Sequence, residues 1–62
     1  MDPMFDIENA TLLNETDRAY LIDFDGLEVW IPKSQAENVE IDDDKNFWCS
    51  IPQWLADSEG LA

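Results

Sequence analysis

The dipeptide Asp25-Gly26 constrains this chain more than any other pair of residues. It lies between "RAYLIDF" (18–24) and "LEVWI" (27–31), two runs rich in aromatic and branched side chains. Both turn residues tolerate positive φ, which a two-residue hairpin demands. With Asp25 and Gly26 as the turn, Phe24 faces Leu27, Ile22 faces Val29 and Tyr20 faces Ile31. That face is wholly apolar, and slipping the register by one residue would turn it to water. The other face pairs Asp23 with Glu28 and Leu21 with Trp30. It is acidic near the turn and apolar farther away.

The remaining chain reads as short elements. Residues 1–8, "MDPMFDIE", read as a loosely held N-terminus, and residues 9–62 as a single small acidic domain. "ATLLN" (10–14) is predicted as a first strand, and "ETD" (15–17) as the turn after it. Pro32 ends the third strand because it has no backbone donor. "KSQAEN" (33–38) reads as a connection with one helical turn, "VEI" (39–41) as a short strand and "DDDKN" (42–46) as a charged turn. "FWCSI" (47–51) is predicted as the last strand. "PQWLADSE" (52–59) is predicted as a helix, opened by Pro52 and stopped by Gly60. Trp54, Leu55 and Ser58 are expected on one face of it. The expected fold class is α+β: a small antiparallel sheet of three to five strands with a short C-terminal helix.

Size and charge limit what such a fold can do. A domain of 62 residues buries only about 60% of the surface its unfolded chain exposes, so its stability is marginal. The chain is 45% hydrophobic, too apolar for a disordered tail. Fifteen acids against three bases give a net charge of -12. This repulsion opposes folding. Its presence in so small a domain points to a partner with a basic surface. One cysteine excludes an intramolecular disulfide framework. No leader of signal-peptide type and no long apolar run is evident, so the host-cell cytoplasm is the expected location.

Several chemistries fit poorly. The run Leu21-Ile22-Asp23-Phe24-Asp25-Gly26 resembles the nucleophile strand of haloacid-dehalogenase phosphatases, which ends in Asp-x-Asp-Gly. That fold requires a parallel sheet with crossover helices, and each such unit takes 30 or more residues. "DFDGLE" shares letters with a calcium loop but lacks its 12-residue ligand spacing. Neighbouring acids in "IDDDKN" would point to opposite faces of a strand and form no cage. The chain has no histidine. Cys49 alternates with Phe47 and Ile51 and reads as a buried structural thiol. No enzyme activity, metal or cofactor is therefore expected. Direct nucleic-acid binding is disfavoured, because Arg18, Lys33 and Lys45 are scattered and the net charge repels phosphates. Two of the three tryptophans, Trp30, Trp48 and Trp54, are expected in the core.

Binding a protein by charge remains. Duplex DNA carries one negative charge per roughly 1.7 Å of axis, and carboxylates on a small rigid fold can imitate that spacing. Asp23, Asp25 and Glu28 gather at the tip of the hairpin. Glu37, Glu40, Asp42, Asp43 and Asp44 form a second cluster. Asp23 and Glu28 face each other across the strands, where like charges destabilise. Trp30, exposed beside them, would suit an interface anchor.

Two segments, "GLEVWIPKSQ" (26–35) and "IPQWLADSEGL" (51–61), resemble a group of small phage and mobile-element proteins. The shared residues are Gly26, Trp30, Pro32, Lys33, Ser34, Pro52, Trp54, Leu55 and Gly60. Size and acidity also resemble DNA-mimic anti-CRISPR proteins directed at type I effectors. That resemblance implies an inhibitor that occupies a DNA-binding surface. The expected partner is the large subunit of Cascade, which reads the protospacer-adjacent motif, with the inhibitor acting as a monomer. The alternative is a mobile-element interaction domain that binds another basic or DNA-binding host protein. The resemblance assigns no role to any single residue.

Overall fold

Asp25 and Gly26 turn the chain with φ of 53° and 85°, the two positive values of a primed hairpin turn. The computed structural model describes residues 3–61. Within it, strands β2 (Ala19–Phe24) and β3 (Leu27–Pro32) pair antiparallel in the expected register. Phe24 faces Leu27, Ile22 faces Val29, Tyr20 faces Ile31, Asp23 faces Glu28 and Leu21 faces Trp30. Pro32 closes β3, and a 3₁₀ turn follows at Lys33–Gln35.

The second hairpin is β4 (Glu37–Ile41) and β5 (Asn46–Pro52), joined through the acidic turn. Strand β1 (Met4–Glu15) lies between the two hairpins, giving the order β3-β2-β1-β5-β4. Every neighbouring pair is antiparallel. The described fold is thus a five-stranded antiparallel sheet carrying one short C-terminal helix, α1 (Gln53–Ser58).

Strand β1 corrects the reading of residues 1–8 as loose. Met4 through Ile7 pair with Pro52 through Cys49, so the strand begins well before residue 10. Residues 1–2 lie outside the described residues. Between Ile7 and Ala10 the register shifts by one residue at a bulge, where Asn9 has φ of 59°. Asparagine tolerates this left-handed conformation better than most residues. The bulge resets the alternation, so Phe5 and Ile7 face inward before it and Ala10 and Leu12 after it. A second shift follows between Leu12 and Asn14 on the β2 side. Each extra residue bends the strand and increases its twist.

The bends let the two hairpins face each other. β5 covers β1 from Met4 to Thr11, and β2 covers it from Thr11 to Glu15. Phe5 meets Phe24 edge-on at 6.3 Å, and Tyr20 meets Phe47 at 5.1 Å. Aromatic pairs favour such inclined geometries. Phe47, Ile7, Ile22, Ile31 and Ile51 are the largest fully buried side chains. Helix α1 closes the core with Leu55 and Ala56.

None of the tryptophans is buried, contrary to the expectation that two would be. Trp30 is 47% exposed, Trp54 is 57% exposed and Trp48 is half-buried. Strand alternation explains the first and third. Val29 and Ile31 take the inward positions of β3, and Phe47, Cys49 and Ile51 take those of β5. In α1, Leu55 and Ala56 point inward, which leaves Trp54 and Ser58 outside. The expected shared face of Trp54, Leu55 and Ser58 therefore does not form.

Cys49 sits in the core. Burial first, and the nearby Asp6 carboxylate second, raise its pKa to about 11. An ordinary thiol here would titrate near 9.0, so about 100-fold less thiolate is present at neutral pH. Alkylation by iodoacetamide at pH 8 should run at least about 100-fold slower in the native protein than in urea. Similar rates in both states would contradict this burial.

Candidate functional site

The outer face of the sheet is built by the residues that alternate with the core. One row crosses β3, β2, β1 and β5 and ends at the first residue of the β4–β5 turn. Glu28 on β3 faces Asp23 on β2, Asp23 faces Thr11 on β1, and Thr11 faces Asn46 on β5. Asn46 then meets Asp42, whose backbone N–H donates to the Asn46 carbonyl at 3.1 Å. The row has carboxylates at both ends and neutral side chains in the middle. Asp23 and Asp42 are three strand spacings apart, roughly 14 Å along the surface.

The acids in the row do different work. Asp23 accepts a hydrogen bond from the Gly26 backbone N–H at 2.9 Å and so braces the turn. The acid that the sequence left without a structural task is part of the hairpin. Asp25 occupies the turn itself. Glu28 is exposed. At the other end, Asp42 organises the β4–β5 turn. One of its carboxylate oxygens accepts from the backbone N–H groups of Asp44 and Asn46, each at 2.9 Å. The other accepts from the Asn46 side-chain amide at 2.9 Å. These bonds, the Asn46 side-chain bond foremost, hold the Asp42 pKa below the usual aspartate range.

The sign of that shift sets a pH window. A lowered carboxyl pKa stabilises the fold above the unfolded aspartate value, and the stabilisation is lost as pH falls through the folded value. Acidification through that range should lower the protection of the Asp44 and Asn46 amides, measured as the ratio of the intrinsic exchange rate at each pH to the observed one. Asp42→Ala should show fast exchange there already at pH 6. Amide exchange followed by NMR measures both, and equal rates in the parent and the variant at pH 6 would contradict the turn's dependence on Asp42.

The eight expected acids do not form one patch. Asp23, Asp25 and Glu28 stand at one margin of the sheet, and Glu37, Glu40, Asp42, Asp43 and Asp44 at the opposite margin. On β4, Glu37 faces Ser50 and Glu40 faces Trp48, with a bulge between them where Asn38 has φ of 55°. Two further acids, Asp6 and Glu8, join this second group. Together with Asn38, Glu40, Trp48 and Ser50 they border an open depression of about 250 Å³. Asp6 also accepts a hydrogen bond from the Ser50 hydroxyl at 2.7 Å. The alternation of Phe5 and Ile7 with Asp6 and Glu8 is the signal that could have found them.

Little positive charge opposes these acids. The Lys33 ammonium donates to Glu15 at 2.6 Å and lies 5.0 Å from the Tyr20 ring centroid. The Glu15 hydrogen bond is the main cause that raises the Lys33 pKa. Lys45 shares a turn with Asp42, Asp43 and Asp44. Trp30 stands exposed on the outer face, one position along β3 beyond Val29 and directly opposite Leu21.

Among the described residues, no group of three or more acids or thiols is placed to hold a metal ion. No helix among them is long and apolar enough to cross a membrane. What fold and surface define together is a small bulged antiparallel sheet whose outer face carries carboxylates at both margins. Comparison with protein-family models, curated proteins and solved structures gives no match to this chain.

Proposed function

We propose that this protein binds a basic, DNA-binding partner and occupies the surface that DNA would use. The observation that carries the proposal is the row of acids on the outer face of a chain with a net charge of -12, with Glu28 and Asp23 at one end and Asp42 at the other. Asp23 and Asp42, the inner acids of the two ends, are roughly 14 Å apart, close to the width of a DNA major groove, about 12 Å. Two lines of carboxylates at that distance can meet cations arranged for two phosphate backbones. The braced turns under Asp23 and Asp42 support this reading, because they fix carboxylates in place before binding.

The target class we favour is a type I CRISPR effector, with the large Cascade subunit that reads the protospacer-adjacent motif as the surface blocked. The protein would then act as an anti-CRISPR inhibitor. The test uses purified effector and a labelled target duplex. Adding the protein should abolish duplex binding at low salt, and rising salt should relieve the block, since charge steering is screened. Unchanged DNA affinity at low salt would remove this target.

The exposed Trp30 beside Leu21 favours a second reading, an interaction module anchored on the aromatic ring. Its partner would be another host protein. Binding in that case would depend on Trp30 and vary little with salt.

A further inference from the structure

The two outermost strands are finished differently. On β4 a bulge at Asn38 interrupts the ladder, and Glu37, Glu40 and the acidic turn crowd the margin. Bulges and charges of this kind discourage another strand from adding. Strand β3 has no bulge, a single charge at Glu28 and a proline only at its last residue, and its register with β2 is regular from Leu27 to Pro32.

The hydrogen-bond pattern shows which groups β3 leaves open. A two-residue turn makes Phe24 and Leu27 the bonded closing pair, and bonding alternates from there. Ile22–Val29 and Tyr20–Ile31 exchange bonds across the hairpin, while Asp23–Glu28 and Leu21–Trp30 do not. The N–H and C=O groups of Glu28 and Trp30 therefore point away from β2. Pro32 is the next such position, so its missing donor also falls on the open side. Among the described residues, no backbone bond outside the ladders engages Glu28 or Trp30.

The geometry points to β3 as a docking edge for an extended basic segment of the partner, which would add to the sheet as a sixth strand. This rests on the reading above that the partner is basic. Backbone bonds to Glu28 and Trp30 would hold the segment, and alternate side chains would give it specificity. On the outer face its neighbours are Glu28, with Asp23 one strand further in, and the exposed Trp30 ring. A lysine or arginine satisfies both, as an ion pair with Glu28 and a cation over Trp30. A second copy of this chain is the poorer occupant, because it would bring another net charge of -12 to the same edge.

The test uses a synthetic peptide of alternating lysine and valine, and a second in which alternate backbone nitrogens are methylated. The unmodified peptide should slow hydrogen exchange at the Glu28 and Trp30 amides at least tenfold. The methylated peptide has the same charge but lacks the donors, and should give no protection. Glu28→Gln keeps the backbone donor and should bind the peptide. Glu28→Pro removes a donor that the hairpin does not use, and should bind at least tenfold more weakly than Glu28→Gln. Peptide binding without protection at these amides would overturn the inference, as would no binding at saturating peptide. Protection that grows with protein concentration alone would also overturn it in favour of a second copy. Inhibition of the effector without protection at this edge would leave the proposed function standing and remove only the docking mode.

Discussion

Phe47→Ala should remove at least about a third of the protein's stability at 25 °C. Phe47 is 0% exposed and packs against Tyr20 across the fold. It faces Ala10 on one side and Ile41 on the other, so its ring joins both hairpins to β1. Removing a buried phenylalanine costs about 3–5 kcal/mol. A chain of this length has a total stability of roughly 3–9 kcal/mol on the usual per-residue scale. The loss therefore takes from about a third to all of the margin. Urea unfolding followed by far-ultraviolet circular dichroism should show the midpoint lowered by at least about a third, and lost altogether if the parent stability lies at the low end of that range. Trp54→Ala should change stability by no more than about 0.5 kcal/mol, because that side chain is mostly exposed. A Phe47→Ala loss below about 1 kcal/mol would contradict a core that joins the two hairpins here.

The second large effect is on binding. Reversing Glu28, Glu40 and Asp43 to lysine takes the net charge from -12 to -6, two units for each of three changes. Inhibition of DNA binding by the effector should weaken more than tenfold and become less sensitive to salt. These three acids are chosen because Asp23 and Asp42 hold turns, so reversing those would mix folding with binding. The control reverses Asp17, Asp57 and Glu59, which lie in the β1–β2 turn and at the helix. It reaches the same net charge away from the outer row. Equal losses in both variants would mean that total charge matters and the acids at the margins of the outer face do not. The difference should lie mainly in the association rate if steering is the cause, and stopped-flow kinetics at two salt concentrations would show it.

The β2–β3 hairpin was legible in the sequence down to its register. Asp25-Gly26 specifies one turn type, and only one register buries Tyr20, Ile22 and Phe24 with Leu27, Val29 and Ile31. The helix and β5 were legible for similar reasons, since Pro52 and Gly60 bound the helix and Phe47, Cys49 and Ile51 alternate strictly. Strand β1 was not. Its inward residues fall at positions 5 and 7 and then at 10 and 12, with a change of phase at Asn9. A period of two applied through that point places asparagine inward, so the segment reads as irregular. The same effect shortened β4, where Asn38 breaks the alternation.

For the candidate site, the acids were readable but their arrangement was not. Sequence adjacency grouped Asp23, Asp25 and Glu28 correctly, because a hairpin keeps neighbours together. It could not show that Asp42 ends the row that Glu28 begins, since that depends on β1 lying between the hairpins. Nor could it separate free carboxylates from those holding turns. That distinction rests on the Gly26, Asp44 and Asn46 donors, which become partners only when the turns form. The tryptophans misled because bulk suggests burial, whereas strand phase decides it.

The central position of β1 also governs when this protein can come into being. Its N-terminal half pairs only with β5, and Met4 meets Pro52. The β2–β3 hairpin can close by itself within about 1–10 μs. The β1–β5 ladder must wait until residues 46–52 have been made, because it pairs Met4 with Pro52 and Thr11 with Asn46. During synthesis Phe5, Ile7 and Ala10 thus remain without their partner strand until Phe47, Cys49 and Ile51 have been made. The β4–β5 hairpin and the helix then dock onto a strand that was made before them.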